Sequence, residues 1–167
     1  MKRSPTKFTS SKGKVLSPTQ AAAWSKSLQK KNVVFTNGCF DLLHVGHITY
    51  LEQARALGTH LIVALNSDES VRRLKGKDRP IVHQAERAGL LASLACVDYV
   101  ALFDEDVPER LIRAVRPDIL VKGEDWKGKG VVGKSFVESY GGRVELVKLV
   151  PDRSTTDLVK KLSGRGA

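Results

Sequence analysis

The chain has 167 residues, 41% of them hydrophobic and 28% charged, with a formal net charge of +10; this suits one compact domain and leaves no room for a second catalytic one. No apolar run reaches membrane-spanning length and the amino terminus lacks the apolar core of a secretory signal, so a cytoplasmic chain with no membrane partner is expected. Cys39 and Cys96 match no metal or redox spacing, and half of the positive excess (Lys2, Arg3, Lys7, Lys12, Lys14) precedes Ser17, which reads as a flexible basic tail over 1–16 ahead of a single domain over 17–167.

From Ser17 onward, amphipathic helical segments alternate with short β-branched runs. Ser17-Pro18 announces a helix over Thr19–Lys31, followed by a buried strand Val33–Thr36, a turn Asn37–Asp41 and a helix Val45–Leu57 stopped by Gly58. A strand at Leu61–Leu65 ends in Asn66-Ser67-Asp68, which caps a short helix through Leu74, and a basic glycine-containing loop follows. The pattern continues as helix Gln84–Ala95, strand Tyr99–Leu102, helix Pro108–Val115, strand Ile119–Val121, helix Val131–Tyr140, strand Val144–Val147 and a closing helix Ser154–Leu162. The fold expected is α/β: a Rossmann-like open parallel sheet of five strands with helices on both faces, its ligands bound beyond the carboxyl ends of the strands.

Chemistry-bearing residues cluster where that rule puts them. After the first strand, Thr36 to His47 carries a glycine turn and two histidines, His44 and His47, at the start of a helix. Free amides and the helix dipole attract an anion there, Gly46 lets a phosphate approach the backbone, and the two imidazoles face it from one side. Further segments follow other strands: Asn66 onward, the basic run Arg72–Arg79, Lys122–Trp126, and Arg153-Ser154-Thr155-Thr156 before the closing helix. Cys39 reads as a small packed residue, since nothing here calls for a covalent intermediate.

These residues resemble the His-x-Gly-His nucleotidylyltransferases from Val33 to near the end of the chain, with Arg153–Thr156 similar to the superfamily's second phosphate-binding motif. Asn37–Asp41, Val63–Asp68, Arg72–Ile81 and Val121–Trp126 together resemble the D-glycero-D-manno-heptose 1-phosphate adenylyltransferases. That resemblance implies transfer of an adenylyl group from ATP to heptose 1-phosphate, with Mg²⁺ bridged by phosphates and no metal ligand from the protein. It implies catalytic roles for His44, His47 and Lys75, and nucleotide or phosphate contacts from Thr36, Asn37, Gly38, Cys39, Phe40, Gly46, Arg79, Lys122, Ser154, Thr155 and Thr156. Asp41, Asn66, Asp125 and Trp126 would bind the sugar phosphate, and a homo-oligomer is implied as an assembly. In many bacteria such a domain is fused behind a sugar kinase, and this length implies the stand-alone form.

Two other readings stay open on the residues alone. A cytidylyltransferase acting on glycerol 3-phosphate shares the histidine motif, but Val150-Pro151-Asp152-Arg153 replaces the Arg-Thr-Glu-Gly-Ile run of those relatives. A nucleotide- or nucleic-acid-binding module would account for the basic charge. Neither stacking aromatics nor a recognition helix accompanies that charge, so no nucleic-acid partner is expected.

Overall fold

A computed structural model describes residues 10–28, 32–151, 155, 159 and 164. The ordered elements are β1 (Val15–Leu16), α1 (Pro18–Ser27), β2 (Val33–Gly38), α2 (Val45–Ala56), β3 (His60–Asn66), α3 (Asp68–Lys75), α4 (Gln84–Ser93), β4 (Tyr99–Phe103), α5 (Glu109–Val115), β5 (Ile119–Gly123), α6 (Lys134–Glu138) and β6 (Arg143–Val147). Short 3-10 turns occupy Ser11–Lys14 and Glu124–Trp126. Every paired strand is parallel, in the order β1-β4-β3-β2-β5-β6. No helix among the described residues is long and apolar enough to cross a membrane.

The alternation of side chains along the strands divides the core into two layers. Val34, Leu61, Val63, Leu65 and Val121 face α2 and α4, packing on Leu51, Ala54 and Leu91. Val33, Phe35, Ile62, Ala64 and Leu120 face the other way, against Ala21 of α1, Ile112 of α5 and Val137 of α6. Each such side chain, withdrawn from water, contributes roughly 1.5–3 kcal/mol before conformational entropy is counted. Two carboxylates fix where strands begin: Asp118 accepts from the Val33 amide at 2.9 Å and Asp98 from the Leu61 amide at 2.7 Å.

The sheet therefore has six strands where five were expected. The extra one, β1, lies inside the segment expected to be a flexible tail through residue 16: Val15 and Leu16 pair with Val100 and Ala101, and Lys14 Nζ donates to Val97 O at 2.9 Å. Two residues are too few to show a period of two. Strand β2 also runs past Thr36, because Asn37 and Gly38 stay in register with Ala64 and Leu65; the turn begins only at Cys39. Helix α6 is shorter than Val131–Tyr140 because Gly133, at φ 86°, enters it and Gly141, at φ 86°, follows it. Of the helix expected over Ser154–Leu162, Thr155 and Val159 are helical and the rest lies outside the described residues, whereas the first helix, expected to reach Lys31, ends at Ser27 because Leu28 turns extended at ψ 120°.

Candidate active site

Strand order reverses between β2 and β5, whose neighbours run outward in opposite directions, and the carboxyl ends of strands at such a point form a crevice. Here it is a cleft of about 690 Å³. All the described residues expected at the site line it except Thr36: Asn37, Gly38, Cys39, Phe40, Asp41, His44, Gly46, His47, Asn66, Lys75, Arg79, Lys122, Asp125, Trp126 and Thr155. Ser154 and Thr156 lie outside the described residues. Thr155 Oγ1 donates to Leu42 O at 3.4 Å, which brings Thr155 against the segment between β2 and α2.

The turn after β2 presents α2 to the cleft. Phe40 adopts φ 43°, a left-handed conformation that costs a non-glycine residue energy and persists only where its surroundings hold it. Its ring covers Gly38, where an added Cβ would meet it at 2.9 Å, and stands edge-on to His47 with centroids 5.2 Å apart. His44 is the N-cap of α2, and its imidazole stacks on that of His47 at 3.9 Å. Burial, and then the neighbouring His44, lower His47 to about 4 against a smaller opposing contribution from the Leu42 backbone. His47 thus meets an anion as a neutral donor beside the first amides of α2, with His44 stacked against it.

The basic loop is held from below. Asp41, expected to bind the sugar phosphate, is buried, with Oδ2 accepting from Arg79 Nε at 2.5 Å and Oδ1 accepting from the amides of Ile81 and Val82 at 2.8 and 3.0 Å. Its oxygens accept from the loop, so it anchors Arg79 at the edge of the cleft. Arg79 is tethered by this pair; Lys75 stands exposed at the end of α3, followed by Gly76 at φ 100°.

Thr36 is also corrected. It is fully buried beneath the floor, 2.6 Å from the hydroxyl of Tyr50, which itself donates to Val121 O at 3.2 Å. Tyr50 lines the cleft in its place, and burial, against the Thr36 bond and with Asp125 adding to it, pushes its phenol up to about 12, so it stays protonated. Sequence reasoning missed Tyr50, although its spacing from His47 on α2 puts the two on one helix face.

Arg87 was missed as well. Read as an ordinary helical residue of α4, it is 0% exposed and donates to Cys39 O at 2.5 Å, Val82 O at 2.9 Å and Asp68 Oδ1 at 2.7 Å. One guanidinium therefore ties the turn beneath the histidines to the basic loop and to the start of α3. Asp68 takes the Gln84 amide at 2.8 Å on the same oxygen.

Across the switch point, Lys122 is only 7% exposed, with its ammonium donating to Asn37 Oδ1 at 2.5 Å and lying 4.7 Å from the Trp126 ring centroid. Burial lowers it to about 8, against the attraction of Asp125. Asp125 is exposed and lies close over Gly123, where an added Cβ would meet its Oδ1 at 2.6 Å. Stacked histidines, helix amides and a buried ammonium in one cleft can hold several phosphate groups in line.

Residues 35–161 match the cytidylyltransferase-like family. The chain belongs to that family. This cytidylyltransferase-like chain is 61% identical over 135 residues to the bifunctional protein HldE of Syntrophotalea carbinolica, covering 81% of the chain and 28% of the relative. It is 61% identical over 132 residues to the bifunctional protein HldE of Geobacter metallireducens, covering 79% and 27%. The chain thus spans less than a third of the length of these relatives. Among solved structures, the lipopolysaccharide core biosynthesis protein of Thermoplasma volcanium superposes with a TM-score of 0.60 at 33% identity, covering 72% of this chain and 98% of that one. A pantoate-beta-alanine ligase from Francisella tularensis, at TM-score 0.60 and 15% identity over 89% of this chain and 76% of its own, shares the fold.

Proposed function

We propose that the chain transfers the adenylyl group of ATP to D-glycero-D-manno-heptose 1-phosphate, giving ADP-heptose and pyrophosphate for lipopolysaccharide-core synthesis in the cytoplasm. The observation that carries the reaction class is the stacked His44–His47 pair at the N-terminus of α2, opening into a cleft at the switch point of the sheet. The similarity to the HldE proteins and to a lipopolysaccharide core biosynthesis protein supports the acceptor.

In this reaction an oxygen of the sugar phosphate attacks the α-phosphorus of ATP, the bond from that phosphorus to the bridging oxygen breaks, and pyrophosphate leaves with the bond's electrons. The nucleophile is already an anion at neutral pH, so the chain needs no strong base; it must align two anions and stabilise the charge on the pentavalent centre and the leaving group. His44 and His47 donate to the triphosphate at the amides of α2. Lys75 and the tethered Arg79 approach from the basic loop, Lys122 from β5, and Thr155 from the second phosphate motif. Mg²⁺ brought in with ATP would neutralise part of the triphosphate's charge beside the cations of Lys75, Arg79 and Lys122.

The deciding experiment measures pyrophosphate release with Mg²⁺, pairing ATP or CTP with heptose 1-phosphate or glycerol 3-phosphate. Turnover confined to ATP and heptose 1-phosphate is expected. Turnover with CTP and glycerol 3-phosphate would keep the reaction class and replace both substrates, whereas silence of the folded protein in every pair would overturn the proposal.

A further inference from the structure

The cleft opens where one backbone ladder stops short of its neighbours. Strand β2 pairs with β5 at Val34 with Ile119 and Phe35 with Leu120, whereas β2 stays paired with β3 as far as Gly38 and β5 with β6 as far as Gly123. Residues 36–38 and 121–123 are thus held by their outer neighbours, and the crevice rises between them.

Side chains take over where that ladder ends. Tyr50 of α2 is 8% exposed and reaches both strands: its hydroxyl donates to Val121 O at 3.2 Å and lies 2.6 Å from Thr36 Oγ1. A phenol has one proton to give, so with that proton on Val121 O, the Thr36 hydroxyl donates to the Tyr50 oxygen. One position further out, Lys122 Nζ donates to Asn37 Oδ1 at 2.5 Å. The two bridges differ in what else they serve. The ammonium has further protons for a phosphate, whereas the inner bridge closes on itself, between Thr36 and Val121 that are both 0% exposed.

Tyr50 also belongs to the wall that carries the histidines. It follows His47 by three positions on one face of α2, and His47 stacks on His44 at 3.9 Å. On the opposite wall, Lys122 directly follows Val121 in β5. One hydroxyl therefore stands a single helical turn from the imidazoles and a single residue from the ammonium. A triphosphate in the ground state is flexible and is met by many groups. The pentavalent phosphorus is a compact centre reached from both walls at once, so an error in their separation falls on the transition state.

Resting on the adenylyl-transfer reading for the reaction it serves, we propose that Tyr50 is a positioning residue: its hydroxyl, in series with that of Thr36, ties α2 to the diverging ends of β2 and β5 and so fixes the span between His47 on one wall and Lys122 on the other. The phenol itself touches no substrate. It sets the width of the crevice, and the width sets how the two walls meet the reacting phosphate.

Three substitutions separate bridge from bulk. Tyr50→Phe keeps the ring and removes the bridge, Thr36→Val keeps the shape and removes the donor, and Thr36→Ser keeps the donor. Steady-state kinetics with ATP and heptose 1-phosphate, well below the Tm of each variant, give the first reading. Tyr50→Phe is expected to lower kcat by roughly 10–10²-fold, the cost of a small misplacement of reacting groups, with both KM values within about twofold of the parent. Thr36→Val should lower kcat less, Thr36→Ser should keep it within about twofold, and the double variant Tyr50→Phe with Thr36→Val should fall no further than Tyr50→Phe alone, because both changes remove one bridge. The second reading needs no substrate. In proton–nitrogen correlation spectra of the ligand-free protein, the amides of Asn37, Lys122 and His47 should move in Tyr50→Phe and Thr36→Val and stay in place in Thr36→Ser. Parental kcat in Tyr50→Phe, a loss carried by the KM for ATP, or multiplying effects in the double variant would overturn the proposal, as would amide shifts confined to α2. A parent protein silent with heptose 1-phosphate, whose variants shift these amides as stated, would sink the adenylyl-transfer reading and leave the bridge between the walls standing.

Discussion

Held at about 4 by burial and by His44, His47 enters the reaction as a neutral imidazole, and its contribution is a directed hydrogen bond to developing charge. Replacing it with alanine should lower kcat by roughly 10²–10³-fold, as loss of one preorganised donor does, with the fold intact by circular dichroism. Lys122 behaves differently. With a pKa lowered to about 8, its ammonium is charged below that pH and neutral above it. The KM for ATP is therefore expected to climb as pH rises through about 8, and Lys122→Met should flatten that rise while weakening ATP at neutral pH; an identical pH profile in the variant would remove Lys122 from the phosphate site. The positions of both residues were legible in the sequence, because His47 lies beyond the end of β2 and Lys122 at the carboxyl end of β5, and the fold rule needs no more than that. The partners of Thr36 and Asp41 were hidden for a complementary reason: the pattern gives their position along the chain but not which neighbour takes their oxygens, and Tyr50, the Arg79 guanidinium and the Ile81 and Val82 amides do so.

Among the elements, the loop between α3 and α4 depends on a residue outside it. Arg87 bonds three segments from full burial, and removing one member of such a pair leaves a carboxylate and two carbonyls without their donor. Arg87→Met should cost about 3 kcal/mol in urea denaturation and also raise the KM for ATP, since Cys39 and the loop lose a common tie. A destabilised variant with parental KM would make Arg87 a purely structural residue. Its role was invisible in the sequence because an arginine on an amphipathic helix ordinarily faces water. Five of the six strands were readable from their β-branched runs, whereas β1 is recognisable only through its partners Val100 and Ala101.

Seen as one molecule, the sheet keeps its edge strand β1 three positions away from β2. Deleting residues 1–16 should therefore lower stability by about 1–3 kcal/mol, the scale of two half-buried side chains and their backbone pairing, as a fall in Tm, while the KM for ATP stays put. A large change in KM would mean that the far edge communicates with the cleft. The two tryptophans occupy opposite ends of this sheet. Trp24 packs 4.6 Å from Tyr99 and 5.6 Å from His60, at the amino ends of β4 and β3, whereas Trp126 sits in the cleft with the Lys122 ammonium over its ring. A cation on an indole perturbs its emission, and a phosphate that draws the ammonium away releases it. The chain thus carries an internal optical probe: in a Trp24→Phe background, intrinsic fluorescence of Trp126 should shift on adding ATP, reporting occupancy of the cleft in real time without a label.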